Sequence, residues 1–344
     1  MYRKHIIVIS VLIAGIYACN KGMDIKADGF KGFAVPFNFP APTYDFADNA
    51  ISEAGFVLGK KLFNDPMLSS NNTISCASCH SQTAAFSHFG HSVSHGIFDR
   101  LGTRNAPAIM NLAWYKTFMW DGGVFNLDLQ PIAPITNHEE MGDTMANVLH
   151  KLQANDVYPA MFKKAFGDEG ITTSTFLKAL SQFMLMCISA NSKYDSVMRH
   201  QSTFTIAEGK GYALFKQKCS SCHTEPLFTD NAFHNNGLSI SNVDDKGRYM
   251  VTLQDTDRYK FKTPSLRNLT FTQPYMHDGR LLAIEAVLDH YISNVQRTPN
   301  LDPRLQQNNK PGIELPGEDK QNLLAFLKTL DDKSFLTNKI LSEQ

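Results

Sequence analysis

The stretch Cys76-Ala77-Ser78-Cys79-His80 decides how the chain is read. Cys-x-x-Cys-His is the attachment sequence for c-type haem. Two thiols at this spacing can each bond one vinyl group of the same porphyrin. The histidine that follows then turns its imidazole onto the iron as proximal ligand. The pattern returns at Cys219-Ser220-Ser221-Cys222-His223, 143 residues downstream. A zinc site or a redox dithiol would not explain a histidine in the same place twice. Two covalently bound haem c groups are therefore expected, on Cys76, Cys79 and His80 and on Cys219, Cys222 and His223.

Four of the six cysteines are used in this way. Cys187 lies in an apolar run and reads as a small buried hydrophobe. Cys19 belongs to the N-terminus. There, Tyr2-Arg3-Lys4-His5 precedes a short apolar run, and Ile16-Tyr17-Ala18-Cys19 has the shape of a lipoprotein cleavage site. Residues 1–19 are thus expected to be a lipoprotein-type signal peptide that leaves Cys19 as a lipid anchor. That places the protein on the periplasmic side of a bacterial membrane. Residues 20–45, with Gly, Pro and several Phe, read as a tether. The formal net charge is zero, with 33 basic and 33 acidic residues, so no nucleic-acid partner is expected.

Apolar periodicity predicts helices over 51–63, 144–166, 172–198, 207–217, 281–293 and 318–330. No strand pattern stands out, so the fold class is mainly α. The chain also repeats itself. Pro107, Asn111, Leu112, Met119, Asp121 and Gly122 recur as Pro264, Asn268, Leu269, Met276, Asp278 and Gly279, all at an offset of 157 without a gap. Upstream of each haem motif stand Gly59-Lys60-Lys61-Leu62-Phe63 and Gly211-Tyr212-Ala213-Leu214-Phe215. These coincidences indicate internal duplication of a cytochrome-c-like unit. The expected division is an N-terminal haem domain over 46–203 and a C-terminal haem domain over 204–344.

The repeat also exposes two differences. Trp120 corresponds to His277, and Pro134 corresponds to Tyr291. Proline offers iron nothing, whereas tyrosine offers a phenolate oxygen. If this position faces each haem, the second iron is six-coordinate, with His223 and Tyr291. The first is held by His80 with its far side open to peroxide.

The chain resembles the bacterial di-haem cytochrome c peroxidase family, which includes the methylamine-utilisation di-haem enzyme. The resemblance covers about residues 46–335. It rests on both CxxCH motifs, Arg104-Asn105-Ala106-Pro107, Trp120-Asp121-Gly122, Gln130 with Pro134 and Glu140, Ser189-Ala190-Asn191-Ser192, Leu227-Phe228-Thr229-Asp230 and Pro274-Tyr275-Met276-His277-Asp278-Gly279.

The resemblance implies a peroxidase that reduces hydrogen peroxide to water. A small c-type cytochrome or cupredoxin would donate the electrons, and a homodimer is among the assemblies it allows. It implies Glu140 as the acid/base, with Gln130 beside it, and Trp120 as the electron relay between the haems. Asn105, Thr272 and Pro274 would hold a calcium ion, for which an all-oxygen set is suited. His95 is the loop histidine that would cap the first iron. Tyr291 departs from members with a methionine at that place and matches the methylamine-utilisation enzyme. This opens the alternative of a same-fold enzyme that oxidises a protein or organic substrate through high-valent iron. A non-catalytic electron carrier is the alternative from another class.

Overall fold

The computed structural model describes residues 29–306 and 310–343. The proposed signal and Cys19 lie outside the described residues. The fold is mainly helical, and its apolar side chains gather into two cores.

The first core is centred on two helices, Glu53–Asn64 and Thr173–Leu185, which pack on each other. Ser52 caps the first of these by accepting from the Gly55 N–H. Phe56, Leu58, Leu62 and Phe63 face inward, all nearly or fully buried. The helices approach closely because Gly59 has no side chain. A Cβ there would stand 1.9 Å from the carbonyl oxygen of Ala179. The second core repeats this solution. The Ile206–Lys218 helix packs on the Gly317–Lys328 helix. A Cβ on Gly211 would stand 1.9 Å from the carbonyl oxygen of Asn322. Phe183 lies under Gly59, and Phe326 lies under Gly211.

Two of the expected helices are each broken in two. Residues 144–166 form Met145–Gln153 and Tyr158–Phe166. Asn155 starts the second piece: its side-chain oxygen accepts from the N–H groups of Val157 and Tyr158. Residues 172–198 form Thr173–Leu185 and Lys193–Met198. The break is held open from outside, where Asp332 accepts from the N–H groups of Ala190 and Asn191. The helix over 281–293 also changes character. It runs as Ile284–Asp289 and then opens into a π turn over His290–Asn294, which carries Tyr291. The expectation of no strand needs one small correction. Phe233–His234 and Phe261–Lys262 pair antiparallel, Phe233 with Lys262 and His234 with Phe261. Two residues per strand are too few for an alternating pattern to show.

The described part of the expected tether does not hang free. Phe30 and Phe33 pack against the first core, Phe39 is buried, and the Trp114 indole N–H donates to the Pro40 carbonyl at 2.8 Å. Several apolar residues at this end serve as core, which their composition did not distinguish from linker. The end of the chain crosses back as well. Phe335 and Leu341 belong to the first core, and Lys60 Nζ donates to the Ile340 carbonyl at 3.0 Å.

A buried ion pair braces the second core. Arg267 donates to both carboxylate oxygens of Asp195, at 2.8 and 2.9 Å, and to the Pro226 carbonyl. Both side chains are fully buried. Burial alone would raise the Asp195 pKa, but the hydrogen bonds and charge of Arg267 outweigh it and hold it low. Arg267→Met should destabilise the fold by about 3–5 kcal/mol, because it strands a buried carboxylate. Denaturant unfolding of the holoprotein measures this. The pair's contribution should fade as pH falls through the lowered Asp195 pKa.

Candidate functional site

A single cavity of about 580 Å³ runs between the two cores and is lined by residues of both CxxCH motifs. Cys79 and His80 stand at one part of its wall, and Cys219, Cys222 and His223 at another. The histidines are set up alike. His80 Nδ1 lies 2.9 Å from the Phe86 carbonyl, and His223 Nδ1 lies 3.1 Å from the Phe228 carbonyl. A carbonyl on Nδ1 fixes the ring and leaves Nε2 as the ligating nitrogen. Burial holds both imidazoles below the usual histidine pKa, so both are neutral, as a metal ligand must be. Burial also raises all four motif thiols, Cys76 and Cys219 to about 12. Two pairs of thiols, two oriented neutral imidazoles and a large, mostly apolar cavity fit two c-type haems.

The loops around the two motifs match in detail. Asn111 and Asn268 both take left-handed φ, at 57° and 60°, and each opens a 3-10 turn, Leu112–Trp114 and Leu269–Phe271. Their side-chain oxygens accept from Ser189 N–H and Asp332 N–H. Met119 and Met276 also take positive φ. Each sulfur receives a side-chain amide, from Gln130 at 3.7 Å and from Asn236 at 3.4 Å. Isolated bridges Phe118–Val124 and Tyr275–Leu281 stand at the same offset.

Glu140 stands near enough to Cys76 and Cys79 to act on both electrostatically, and the expected catalytic residues all face the one cavity. Gln130, Pro134 and Glu140 all line it, as does Trp120. Burial raises the Glu140 pKa above the ordinary carboxylate range. The Asn137 side chain donates to Glu140 Oε1 at 3.1 Å and works in the other direction. Tyr291 and Met276 line the second side, and burial pushes the Tyr291 phenol up to about 12.

Asn105 knits the space between the motifs. Its N–H donates to the His277 carbonyl at 2.7 Å, and its carbonyl accepts from Trp120 Nε1 at 2.8 Å. Its side-chain amide donates to the carbonyls of His91 and Ser92. Thr272 and Pro274 line the same cavity as Asn105. The His95 carbonyl lies 3.9 Å from Cys79 Sγ, but its ring is turned elsewhere. It does not line the cavity, and its Nδ1 lies 3.1 Å from Asp99 Oδ1, on a half-exposed loop beside the rings of His88 and His91.

Three contributors were not singled out as site residues in the sequence. Asn137, three residues before Glu140, has a spacing that could have pointed to it. Arg104 grips Asp121 and Asp245 at 2.6 Å each, bolting the 233–262 segment onto the Trp120 turn. Lys262 lines the cavity between the motifs, and no local pattern marks it.

The sequence profile of the di-haem cytochrome c peroxidase family matches residues 53–203. The methylamine utilization protein MauG of Methylorubrum extorquens is 37% identical, over 82% of this chain and 79% of its own. The chain belongs to the di-haem cytochrome c peroxidase family. The cytochrome c551 peroxidase of Nitrosomonas europaea is 31% identical, over 79% of this chain and 78% of its own. A crystal structure described as a MauG-like protein associated with microbial copper homeostasis superposes with a TM-score of 0.82 at 32% identity, covering 90% of this chain and 98% of that one. Membership makes the chain an oxidoreductase and carries with it the two c-type haems that the cavity fits. Among the described residues no helix is long and apolar enough to cross a membrane.

Proposed function

We propose that the protein is a peroxidase that reduces hydrogen peroxide at the His80 side, with electrons entering at the His223 side. The observation that supports this reading is one cavity lined by Glu140, which acts electrostatically on Cys76 and Cys79, and by Tyr291, on which Cys219 and Cys222 act; Gln130 and the inert Pro134 line it too. His80 and His223 would each hold a c-type haem, which would supply an iron able to exchange electrons and, at the His80 side, to react with peroxide. Glu140 as carboxylate takes the proton from one peroxide oxygen and returns it to the other, so that water leaves. Gln130 orients the peroxide by hydrogen bonding. Trp120, whose indole is fixed by the Asn105 carbonyl, lies on the route between the two sides.

Further assignments belong to the same reading. Tyr291 would offer its phenolate oxygen to the second iron, and His95 would reach the first only after its loop moves. The carbonyls of Thr272 and Pro274, with the Asn105 side chain, would hold a calcium ion, which an all-oxygen set suits. The two halves, 46–203 and 204–344, descend from one duplicated cytochrome-like unit. The paired glycines, asparagines and methionines described above support this. Cys19 anchors the chain to the periplasmic side of a membrane, where a small cytochrome c or cupredoxin supplies electrons.

Tyr291 favours a second reading, in which the oxidising equivalents of peroxide are spent on a protein or organic substrate. An anionic oxygen ligand lowers the potential of the second iron and disfavours its reduction by a donor. One experiment separates the readings. Steady-state peroxide consumption by the holoprotein is measured with reduced small cytochrome c. Rapid, donor-dependent turnover is the result expected of a peroxidase. Peroxide reaction without donor oxidation would replace that reading with the second.

A further inference from the structure

Lys262 is only 7% exposed, yet its ammonium makes no hydrogen bond or ion pair among the described residues. Its one close partner is the ring of Tyr115, 3.5 Å from the Nζ to the centroid. A cation gains from an aromatic face, but by less than the water an ammonium loses on burial. Asp230, the acid that acts on it electrostatically, is already held by His234 at 2.8 Å. The side chain instead lines the cavity that both haem motifs share. Its backbone is fixed there on two sides. The Lys262 N–H donates to the Trp120 carbonyl at 2.8 Å, and the residue pairs with Phe233 across the short sheet.

A buried, unpaired ammonium aimed into a cavity calls for an anion. A haem c brings carboxylates, its two propionates, into such a cavity. We propose that Lys262 is the cationic receptor for a haem propionate between the two haem sites, and that its charge sets the reduction potential of that haem. The inference rests on the two-haem reading. Haem content, measured on every sample, separates its failure from failure of the inference itself. The physical consequence follows from Coulomb's law. Reduction adds one negative charge to the haem, and a nearby cation in a poorly solvated wall favours that state. Burial without a partner pushes the Lys262 pKa down to about 7, and a carboxylate beside it would restore the charge.

The test is a spectroelectrochemical titration of both haems in wild type, K262M and K262R, all carrying two haems. K262M should lower the potential of one haem by about tenfold or more in its reduction equilibrium, about 59 mV for one electron. K262R should restore most of it. Unchanged potentials in K262M would overturn the proposal, as would equal shifts in K262M and K262R, which would mean packing rather than charge. A free small anion is the other source of a carboxylate or its like. In that case the wild-type potential itself would move on dialysis into anion-poor buffer and return with added formate, and the propionate assignment would fall. If K262M does not accumulate with two haems, K262Q, polar and neutral, carries the same test.

Discussion

Replacing Glu140 by glutamine is expected to slow peroxide cleavage by about 10²–10⁴-fold while leaving both haems attached. Glutamine keeps the shape and the hydrogen-bonding reach of the side chain. It loses the ability to accept a proton and give it back. Stopped-flow mixing with peroxide reads the rate, and haem content reads the integrity of the sample. Unchanged turnover would remove Glu140 from the mechanism and move attention to its neighbour Glu139, which lines the same cavity. The fold should not suffer. Burial raises the Glu140 pKa, so its charged form is the one the native state disfavours. A neutral glutamine takes that penalty away, and the melting temperature should hold or rise.

The same shift fixes the sign of the pH dependence. Glu140 works as a base only when ionised. Its carboxylate fraction, and with it the peroxide rate, falls as pH drops through a pKa lying above the usual carboxylate range. Asn137 donates to the carboxylate and pulls that pKa down. Asn137→Leu should therefore carry the acid limb of the pH–rate profile to higher pH. An acid limb that stays in place would show that some other group sets it.

Much of this site can be read in the sequence because covalent haem attachment needs fixed spacing. Cys76, Cys79 and His80 are local, and so are their counterparts. The offset of 157 was visible because loops that fold around like groups keep their odd residues. Asn111 and Asn268 occupy left-handed positions that asparagine tolerates, and Met119 and Met276 do the same beside an amide. What the sequence hid is long-range. Arg104 finds Asp245 across 141 residues, and Lys262 reaches the cavity only through a two-residue strand. Helix breaks were hidden for the same reason. The gap after Leu185 is held by Asp332, far along the chain, while the apolar period runs straight through it. His95 illustrates the converse. Its place in the chain suggests a ligand, and its ring stands 3.1 Å from Asp99, four residues on, so that its reach to an iron depends on how its loop sits.

Tyr291→Phe is expected to change the optical spectrum of the second haem and raise its potential, by more than tenfold in the reduction equilibrium, about 59 mV for one electron. The π turn over His290–Asn294 sets Tyr291 in the cavity wall. Burial alone favours the neutral phenol there, pushing its pKa up to about 12. Only a strong adjacent cation turns such a group into a phenolate, and an iron centre is one. Phenylalanine fills the same space but offers an iron no oxygen. Methionine at 291 would offer a neutral sulfur instead, and should raise the potential while keeping the iron six-coordinate. An unaltered spectrum in Tyr291→Phe would refute the ligand assignment. If the spectrum changes, turnover in Tyr291→Met decides between the two proposed reactions. Donor-driven peroxide consumption that rises sharply with the potential means that Tyr291 was holding electrons out. The natural protein would then be built to direct oxidising power at a substrate rather than to be re-reduced by a cytochrome.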